Sequence, residues 1–565
     1  MEAIEPRIDA GPPPTRGRLA REAILIIALA LSLNLAGNAR VGLWDRDEPR
    51  YAACTREMRE RGDWVHPTFN GQPRYHKPIL IYWLMRAGFA VGGDNPFGAR
   101  LVSAFAGAAT CLVVWRLGRS IAGPRVGLLA ALALSTVPIM VAESKLATTD
   151  ATLALLVVLA QSCLWGLSRR DSPGLAAGFW ASMALATLLK GPVGPVLVAA
   201  SGAVSWWWGG PTACWRRLRW GPGLALFLGL TAPWFVAVGV LSRGDFFRFA
   251  FRTQIVQRVA SGMEQHGGFP GYYAAMALPM FAPWSALIPA AVLAAWTRRR
   301  SAPAFGFLLG WMVGPWLVLE CFGTKLVHYY LPSFPACALL VAWLIVETTR
   351  RGGSLGDWPL GRLGIRMVGS MGLAATAGLV VAAFAFPREL RWPCLAMAIA
   401  AGTGTLFARV RLARSDAAGG STAMVATWAA VMGLFGGWFL PAAEPFRFSR
   451  VVGERLADLS GRTGVRPAIM SFQEPGLIYA LGHPACDVRG YDEMFEEIRR
   501  NGPVLVPLLP AEVVEMSDDR RFRLERVGSV TGFNANKGKA QTLEFAVVGA
   551  GPSALAASGE EPLVE

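Results

Sequence analysis

The chain has 565 residues, of which 53% are hydrophobic and 17% are charged, and its mean hydropathy is +0.37. These values exclude an ordinary water-soluble protein, in which about a quarter of the residues are charged. A net charge of +16 is typical of nucleic-acid-binding proteins. Here, however, the arginines recur at every second polar loop instead of forming one patch. The pattern therefore predicts a membrane protein without a nucleic-acid partner.

Apolar stretches alternate with polar loops along most of the chain, and about 20 apolar residues suffice for a helix to cross a bilayer. Thirteen spans are predicted near residues 22–42, 98–116, 125–142, 150–168, 174–189, 192–208, 221–241, 271–296, 303–321, 329–347, 364–386, 392–408 and 421–441. Residues 1–21 are predicted to be a cytoplasmic segment, and the first span to be an uncleaved anchor. The predicted fold class is an all-α polytopic membrane protein.

The arginine-rich loops indicate the orientation. They include Arg116, Arg119, Arg169, Arg170, Arg216, Arg217, Arg298, Arg299, Arg350, Arg351, Arg409 and Arg411. The positive-inside rule assigns these loops to the cytoplasm, so the remaining loops and the C-terminal region face outward. Most side chains suited to chemistry lie in the outer loops. We therefore expect a multi-pass protein of the inner cell membrane with its active site on the periplasmic side.

Two regions differ from the simple alternation of spans and loops. The outer loop 44–97 contains two predicted interfacial helices, 48–61 and 79–91, and is assigned with the spans to a transmembrane domain over 22–441. Beyond residue 441, short apolar runs at 468–472, 477–481, 504–509 and 543–548 alternate with a polar helix at 491–500. This pattern predicts a small extracytoplasmic α/β domain over 442–550, followed by a disordered tail at 551–565.

Two carboxylates are candidate catalytic groups, Asp47 and Asp150, because each lies where a helix begins at the predicted outer surface. Either residue alone is more simply interpreted as a helix N-cap. A carboxylate at the edge of the hydrocarbon layer is costly unless it is used or paired, however, so two of them on one side suggest a base and a supporting acid.

Three lysines, Lys77, Lys190 and Lys325, each lie between a polar turn and an apolar helix on the same side. They are candidates for holding a phosphate, and the alternative is that each extends its ammonium to the membrane surface. Tyr329 is either a ligand-binding residue or part of an interfacial aromatic belt. His76 and His266 are candidate ligands of a divalent metal, because a neutral imidazole nitrogen can bind such an ion.

Taken together, the motifs resemble those of the GT-C superfamily of polyprenyl-phosphate-dependent glycosyltransferases, in particular the bacterial aminoarabinose lipid A transferases and relatives of the protein O-mannosyltransferases. The matching segments are Asp47-Glu48-Pro49-Arg50-Tyr51, Gly62-Asp63-Trp64, Asn70-Gly71, His76-Lys77-Pro78, Asp150, Leu189-Lys190-Gly191-Pro192, His266, Lys325-Leu326 and Tyr329. The resemblance covers about the first 345 residues. It implies a GT-C fold.

The resemblance also implies residue roles. Asp47 would be the principal catalytic carboxylate with Asp150 assisting, and Tyr51 would contact substrate. Lys77, Lys190, Lys325 and Arg50 would hold the lipid phosphate, and Tyr329 would line the cavity for the lipid-linked sugar. Family members have glutamate where this chain has His76. Zinc, magnesium or manganese bound by His76 and His266 is therefore an open expectation.

The implied activity is transfer of a hexose or pentose from a polyprenyl-phosphate donor to a lipid, protein or glycan acceptor, with inversion at the anomeric carbon. Such an enzyme would act in lipid A modification or protein glycosylation. The alternative is a transporter or flippase for lipid-linked sugars, which would place its acids and bases at mid-span or on both faces. A non-catalytic scaffold is the third possibility, and it would tolerate neutral substitutions throughout the outer loops.

Overall fold

The computed structural model describes residues 15–45, 47–252, 268–534 and 538–551. The chain divides into two compact units. The first consists of Met1–Arg40 and Tyr75–Ala442, and the second of Val41–Arg74 and Ala443–Glu565. Most of the predicted cytoplasmic segment 1–21 and nearly all of the predicted tail 551–565 lie outside the described residues.

The first unit is built from helices. Its α-helices are Arg16–Leu35, Leu80–Gly92, Pro96–Ala122, Pro124–Thr136, Pro138–Lys145, Asp150–Arg169, Pro173–Lys190, Val193–Trp207, Ala213–Arg217, Trp220–Leu241, Asp245–Phe249, Tyr272–Met280, Ile288–Arg298, Pro303–Glu320, Phe334–Arg350, Gly361–Ala385, Arg391–Ala413, Ala417–Leu434 and Leu440–Ala442. Several begin at a proline. Proline suits the first helical turn because the backbone N–H that it lacks would have no acceptor within the helix at that position. A 3-10 helix, Val327–Ser333, precedes Phe334–Arg350.

Helices occupy all thirteen predicted spans. Within the described ranges, nine helices are long and apolar enough to cross a bilayer, or ten if the bent pair Pro124–Thr136 and Pro138–Lys145 forms one span. The predicted polytopic helical fold is confirmed, whereas the number of thirteen spans stays a prediction. The helices predicted at 48–61 and 79–91 are present as Asp47–Glu60 and Leu80–Gly92.

The second unit contains a five-stranded mixed sheet. Its strands are β3 (Arg466–Ile469), β4 (Cys486–Asp487), β5 (Val504–Leu508), β6 (Phe522–Asn534) and β7 (Lys539–Ala550), and β1 (Thr68–Phe69) with β2 (Gln72–Pro73) forms a separate hairpin. The order in the sheet is β4-β3-β5-β7-β6, with β3 parallel to β4 and β5 and the other pairs antiparallel. The central strand β5 is buried along its whole length because apolar clusters cover both faces of the sheet.

The remaining helices of the second unit are Asp47–Glu60, Phe448–Thr463, Pro475–Leu481, Tyr491–Asn501 and Pro510–Asp518. The predicted C-terminal α/β region is thus confirmed. The apolar run 477–481, grouped with the strand-like runs, is helical instead, because Pro475 begins a helix that presents Leu477, Ile478 and Leu481 to the core. Short apolar runs suit a buried helix as well as a strand.

Residues 41–74 belong to the second unit, whereas the sequence grouped them with the membrane spans. The Asn70 side chain exchanges two hydrogen bonds with the backbone of Ala485, at 3.0 and 2.7 Å. The Arg56 guanidinium lies 4.4 Å from the centre of the Tyr479 ring. Asn70 and Gly71 form the hairpin turn with φ of 54° and 73°, a left-handed conformation that favours these two residue types. These contacts join the first outer loop to the α/β domain.

Candidate active site

A buried ion pair between Asp150 and Lys190 lies in the first unit. The Lys190 Nζ atom donates to Asp150 Oδ1 at 2.5 Å, and the side chains are 7% and 9% exposed, respectively. Asp150 begins one helix, and Lys190 ends the next. A short turn joins the two helices, so the chain reverses direction and brings Lys190 back beside Asp150. The N-cap is Thr149, and Lys190 is buried, so neither the N-cap nor the surface-extended interpretation holds for this pair.

Aromatic and polar groups surround the ion pair. The Lys190 ammonium lies 4.8 Å from the centre of the Tyr329 ring, a distance suited to a cation–π contact. Thr149 Oγ1 donates to Asp150 Oδ2 at 3.3 Å, and His328 Nε2 lies 4.0 Å from the same oxygen. Lys77, half-buried, also interacts electrostatically with Asp150. The structure therefore brings four of the predicted residues, Lys77, Asp150, Lys190 and Tyr329, into one neighbourhood.

Two residues of this neighbourhood had no predicted role, Glu143 and His328. His328 Nδ1 lies 3.7 Å from Glu143 Oε1, and Thr148 Oγ1 donates to the other Glu143 oxygen at 3.2 Å. Glu143 is 5% exposed. The sequence carried a signal, because Glu143 follows directly on the predicted span 125–142 and a carboxylate beside the hydrocarbon layer needs a partner. We call Glu143, Asp150, Lys190, His328 and Tyr329 the buried polar cluster.

Lys325 has a different set of contacts. Its ammonium forms an ion pair with Glu320 and donates to the carbonyl oxygen of Phe269 at 3.1 Å. Glu320 also accepts from the Trp316 indole at 3.0 Å and from the Tyr273 backbone at 3.3 Å. The ammonium of Lys325 is therefore buried and neutralised by its own carboxylate, and its predicted contact with a phosphate stays a prediction.

The predicted metal ligands do not form a complete site in the part of the chain that the structure describes. The exposed His76 ring lies 4.8 Å from the Phe249 ring, centre to centre, and His266 lies outside the described residues. Among the described residues, no group of three His, Cys, Asp or Glu side chains is arranged to hold a metal ion. We therefore assign no step to a metal, and the metal stays a prediction.

In the second unit, Asp47 is the accessible acid among its neighbours. Its side chain is exposed in the first turn of Asp47–Glu60, whereas Glu48 is 2% exposed and accepts from the Trp44 backbone at 2.7 Å. Asp45 accepts from the Ser449 hydroxyl and from the Gly476 backbone, the latter at 2.9 Å. Burial raises the pKa of the Asp45 carboxyl. Asp47 is therefore the carboxylate of this segment with the freest access to a ligand.

Arg50 and Tyr51 follow Asp47 on the same helix. Arg50 is half-buried, and Tyr51 is 1% exposed. The predicted substrate contacts of both residues, and the catalytic role of Asp47, stay predictions.

Known proteins resemble this chain over much of its length. Residues 76–236 match the family model described as dolichyl-phosphate-mannose-protein mannosyltransferase. An undecaprenyl phosphate-alpha-4-amino-4-deoxy-L-arabinose arabinosyl transferase of Pseudomonas aeruginosa is 33% identical over 59% of this chain and 61% of its own length. A second such transferase, from Pseudomonas fluorescens, is 30% identical over 59% of this chain and 58% of its own. The chain thus spans about three fifths of these curated relatives.

The fold likeness extends further along the chain. The crystal structure of ArnT from Cupriavidus metallidurans bound to undecaprenyl phosphate superposes with a TM-score of 0.70 at 22% sequence identity. The match covers 93% of this chain and 97% of that one. It includes the C-terminal region, to which the resemblance in sequence motifs did not extend. The fold implied by those motifs is confirmed.

Proposed function

We propose that this chain, a relative of the GT-C glycosyltransferases with their fold, transfers a sugar from a polyprenyl-phosphate donor to an acceptor at the membrane surface. The sugar class that we propose is a pentose, because the relatives are named for transfer of 4-amino-4-deoxy-L-arabinose. The acceptor is a lipid, a protein or a glycan. The enzyme would lie in the inner membrane and act on the periplasmic side.

One observation carries this proposal: sequence identity of 30–33% to arabinosyl transferases that are named for an undecaprenyl phosphate-linked sugar. The structure supports it with charged groups buried at the end of an apolar helix. Burying a charge is costly, and such groups in membrane proteins are commonly functional. A membrane donor also suits this chain, since a polyprenyl tail stays in the bilayer while its phosphate stays at the interface.

The proposed step joins the acceptor oxygen to the anomeric carbon of the sugar. The bond between that carbon and the phosphate oxygen breaks, and the electron pair leaves with polyprenyl phosphate. A hydroxyl acceptor gives its proton to the Asp47 carboxylate, which acts as general base. Direct displacement inverts the anomeric configuration. Positive charge develops on the sugar and negative charge on the leaving phosphate, so fixed cations near the phosphate stabilise the transition state.

We assign the fixed cations to Lys77, Lys190 and Arg50. Lys190 has three N–H donors, and Asp150 accepts from one of them at 2.5 Å. The others remain for a ligand oxygen. Asp150 positions the Lys190 ammonium, and the Tyr329 ring supports it from 4.8 Å. In this proposal Asp150 is a positioning residue that acts through Lys190.

The proposal is tested by lipid analysis of cells that lack the chain. Mass spectrometry of their membrane lipids should show an accumulated polyprenyl-phosphate pentose and loss of the modified acceptor. Expression of the wild-type chain should reverse both changes, whereas an Asp47→Asn variant present at the same level in the membrane should reverse neither. Unchanged levels of every polyprenyl-phosphate sugar and of every glycosylated product would contradict the proposal.

A further inference from the structure

A cavity of about 630 Å³ lies in the first unit between the ends of two helices, Ile288–Arg298 and Phe334–Arg350, and the turn that follows the second helix. Its polar lining consists of Thr297, Arg298, Thr348, Arg351, Ser354 and Asp357, and Trp358 forms an aromatic wall. These residues lie in or beside the arginine-rich loops that the positive-inside rule assigns to the cytoplasm. None of them belongs to the buried polar cluster.

Two arginines lie against one tryptophan ring in this cavity. The guanidinium carbons of Arg298 and Arg351 are 5.1 and 4.8 Å from the centre of the Trp358 ring. The ring is held in place because its Nε1 atom donates to Thr348 Oγ1 at 2.7 Å. Stacking on an aromatic face leaves the edge of a guanidinium, with its N–H donors, available to an anion.

The two guanidinium groups differ in their counter-charges. Glu347 accepts from Arg351 Nε at 2.7 Å and also pairs with Arg350. Arg298 donates to the carbonyl oxygen of Ala294 at 2.7 Å and to the Thr297 hydroxyl at 3.3 Å, and no carboxylate oxygen of the described residues lies within 4.0 Å of its guanidinium nitrogens. A guanidinium that lines a cavity without a carboxylate partner is suited to binding an anion from outside the chain.

The remaining polar groups fit the same ligand. The Ser354 oxygen accepts from the Gly356 backbone at 3.1 Å, so its own hydroxyl hydrogen remains for an acceptor. The Asp357 carboxylate accepts from the Ser354 backbone at 2.7 Å, which holds it within the turn. Trp358 gives the cavity the aromatic wall that is typical of membrane interfaces. The lining therefore offers two guanidinium groups and a hydroxyl at a membrane surface.

We propose that this cavity binds the phosphate group of an anionic phospholipid headgroup in the cytoplasmic leaflet, through Arg298, Arg351 and Ser354. The lipid's acyl chains extend along the apolar wall of Leu293 and Ala294, which line the same cavity. The binding is independent of the sugar-transfer reaction. Free inorganic phosphate has the same recognition chemistry, and the experiment distinguishes it from the lipid.

The test uses native mass spectrometry of the full-length chain released from detergent micelles, titrated separately with phosphatidylglycerol, phosphatidylcholine and inorganic phosphate. Arg298→Gln removes the guanidinium that has no carboxylate partner and should weaken phosphatidylglycerol binding about tenfold or more, the loss expected for a hydrogen bond to a charged group. Arg216→Gln is the matched control, because it removes an exposed arginine from another predicted cytoplasmic loop. It should bind as the wild type does.

Each outcome decides the proposal. Saturable binding of one phosphatidylglycerol that Arg298→Gln weakens and Arg298→Lys partly restores supports a lipid site, since lysine keeps the charge. Inorganic phosphate that binds with equal affinity, or displaces the lipid at equal concentration, would assign the site to free phosphate and overturn the lipid assignment. Equal phosphatidylglycerol binding by wild type and Arg298→Gln, or no preference over phosphatidylcholine, would also overturn it. A shared unfolding temperature shows that the variants are folded.

Discussion

The ammonium of Lys190 lies 2.5 Å from the carboxylate of Asp150, and both side chains are more than nine-tenths buried. Asp150 is the first residue and Lys190 the last residue of a helical hairpin, so both lie at its open end and balance each other's charge. A buried pair of this kind is costly to break, because removing one partner leaves the other charged and without compensation. Its place at the centre of the buried polar cluster makes it the most informative target for substitution.

Asp150→Asn should lower the stability of the protein by about 3–5 kcal/mol, because Lys190 then stays buried without the carboxylate it pairs with. The thermal unfolding of the purified protein in detergent measures this loss. Asp171→Asn is the matched control, since Asp171 pairs with Arg219 at 3.3 Å where the side chains are 57% and 44% exposed. That surface pair should contribute at most about 1 kcal/mol. Equal losses from the two substitutions would contradict this prediction.

The double variant Asp150→Leu with Lys190→Met separates stability from function. Replacing a buried ion pair by apolar side chains is often neutral or stabilising, so the double variant should unfold closer to the wild-type temperature than Asp150→Asn does. Sugar transfer should nevertheless be lost, because no cation remains at this position for the leaving phosphate. A double variant with wild-type turnover would show that the pair serves the fold alone.

Asp47→Asn should lower turnover by about 10²- to 10⁴-fold, the usual contribution of a general base. Stability should change by no more than about 0.5 kcal/mol, because Asp47 is exposed. Glu60→Gln is the control on the same helix, since it is an exposed acid at the opposite end. Turnover and donor binding are measured in parallel. Near-normal turnover of Asp47→Asn would remove Asp47 from the mechanism.

His328→Gln tests a positioning role in the buried polar cluster. His328 lies between Glu143 and Asp150, at 3.7 and 4.0 Å, so its loss should let the Asp150–Lys190 pair shift. A small misplacement can lower turnover by up to about 100-fold. We expect kcat to fall while KM and the unfolding temperature stay near the wild-type values. His483→Gln, an exposed histidine of the α/β domain, should change none of these quantities. A parallel fall in unfolding temperature and kcat would indicate a structural role instead.

Asp45 should make stability depend on pH. Burial raises its pKa in the folded state above the ordinary value of about 3.9. Its contribution to stability is therefore greatest below that ordinary value and is lost as the pH rises through the folded-state pKa. The Asp45→Asn variant does not titrate at this position and should gain stability relative to wild type as the pH rises from 4 to 7. Thermal unfolding across this range measures the difference, and a constant difference would contradict the assignment.

Local sequence signals predicted much of the fold. Each predicted span contains a helix, and the Asn70-Gly71 turn forms because these residues tolerate a left-handed backbone. The strand β6 was missed because it is an edge strand in which charged residues such as Arg523 and Glu525 break the apolar run. The helix Pro475–Leu481 was grouped with strands because a short apolar run carries no periodicity that separates the two.

The candidate site was predictable as a set of residues, but not as contacts. The sequence assigned Asp150 and Lys190 to the same side of the membrane. Their pairing depends on how the two helices that carry them pack against each other. His328 and Glu143 were missed as partners because they lie far apart in sequence and share no motif. For Lys325, the sequence position suggested that the ammonium binds a phosphate. In the structure Glu320, five residues earlier, neutralises that ammonium. The partners of buried charged groups can therefore be identified only from the tertiary structure.

The central claim is tested most directly by a transfer assay with the purified full-length protein in lipid nanodiscs. Synthetic undecaprenyl phosphate carrying 4-amino-4-deoxy-L-arabinose is supplied with an extract of membrane acceptors, and undecaprenyl phosphate release is followed by mass spectrometry. We predict release that requires both acceptor and enzyme, with the sugar recovered on the acceptor in the inverted configuration and no release by Asp47→Asn. The account would be contradicted if this donor stayed intact after prolonged incubation and if donors carrying other pentoses, hexoses or amino sugars stayed intact as well.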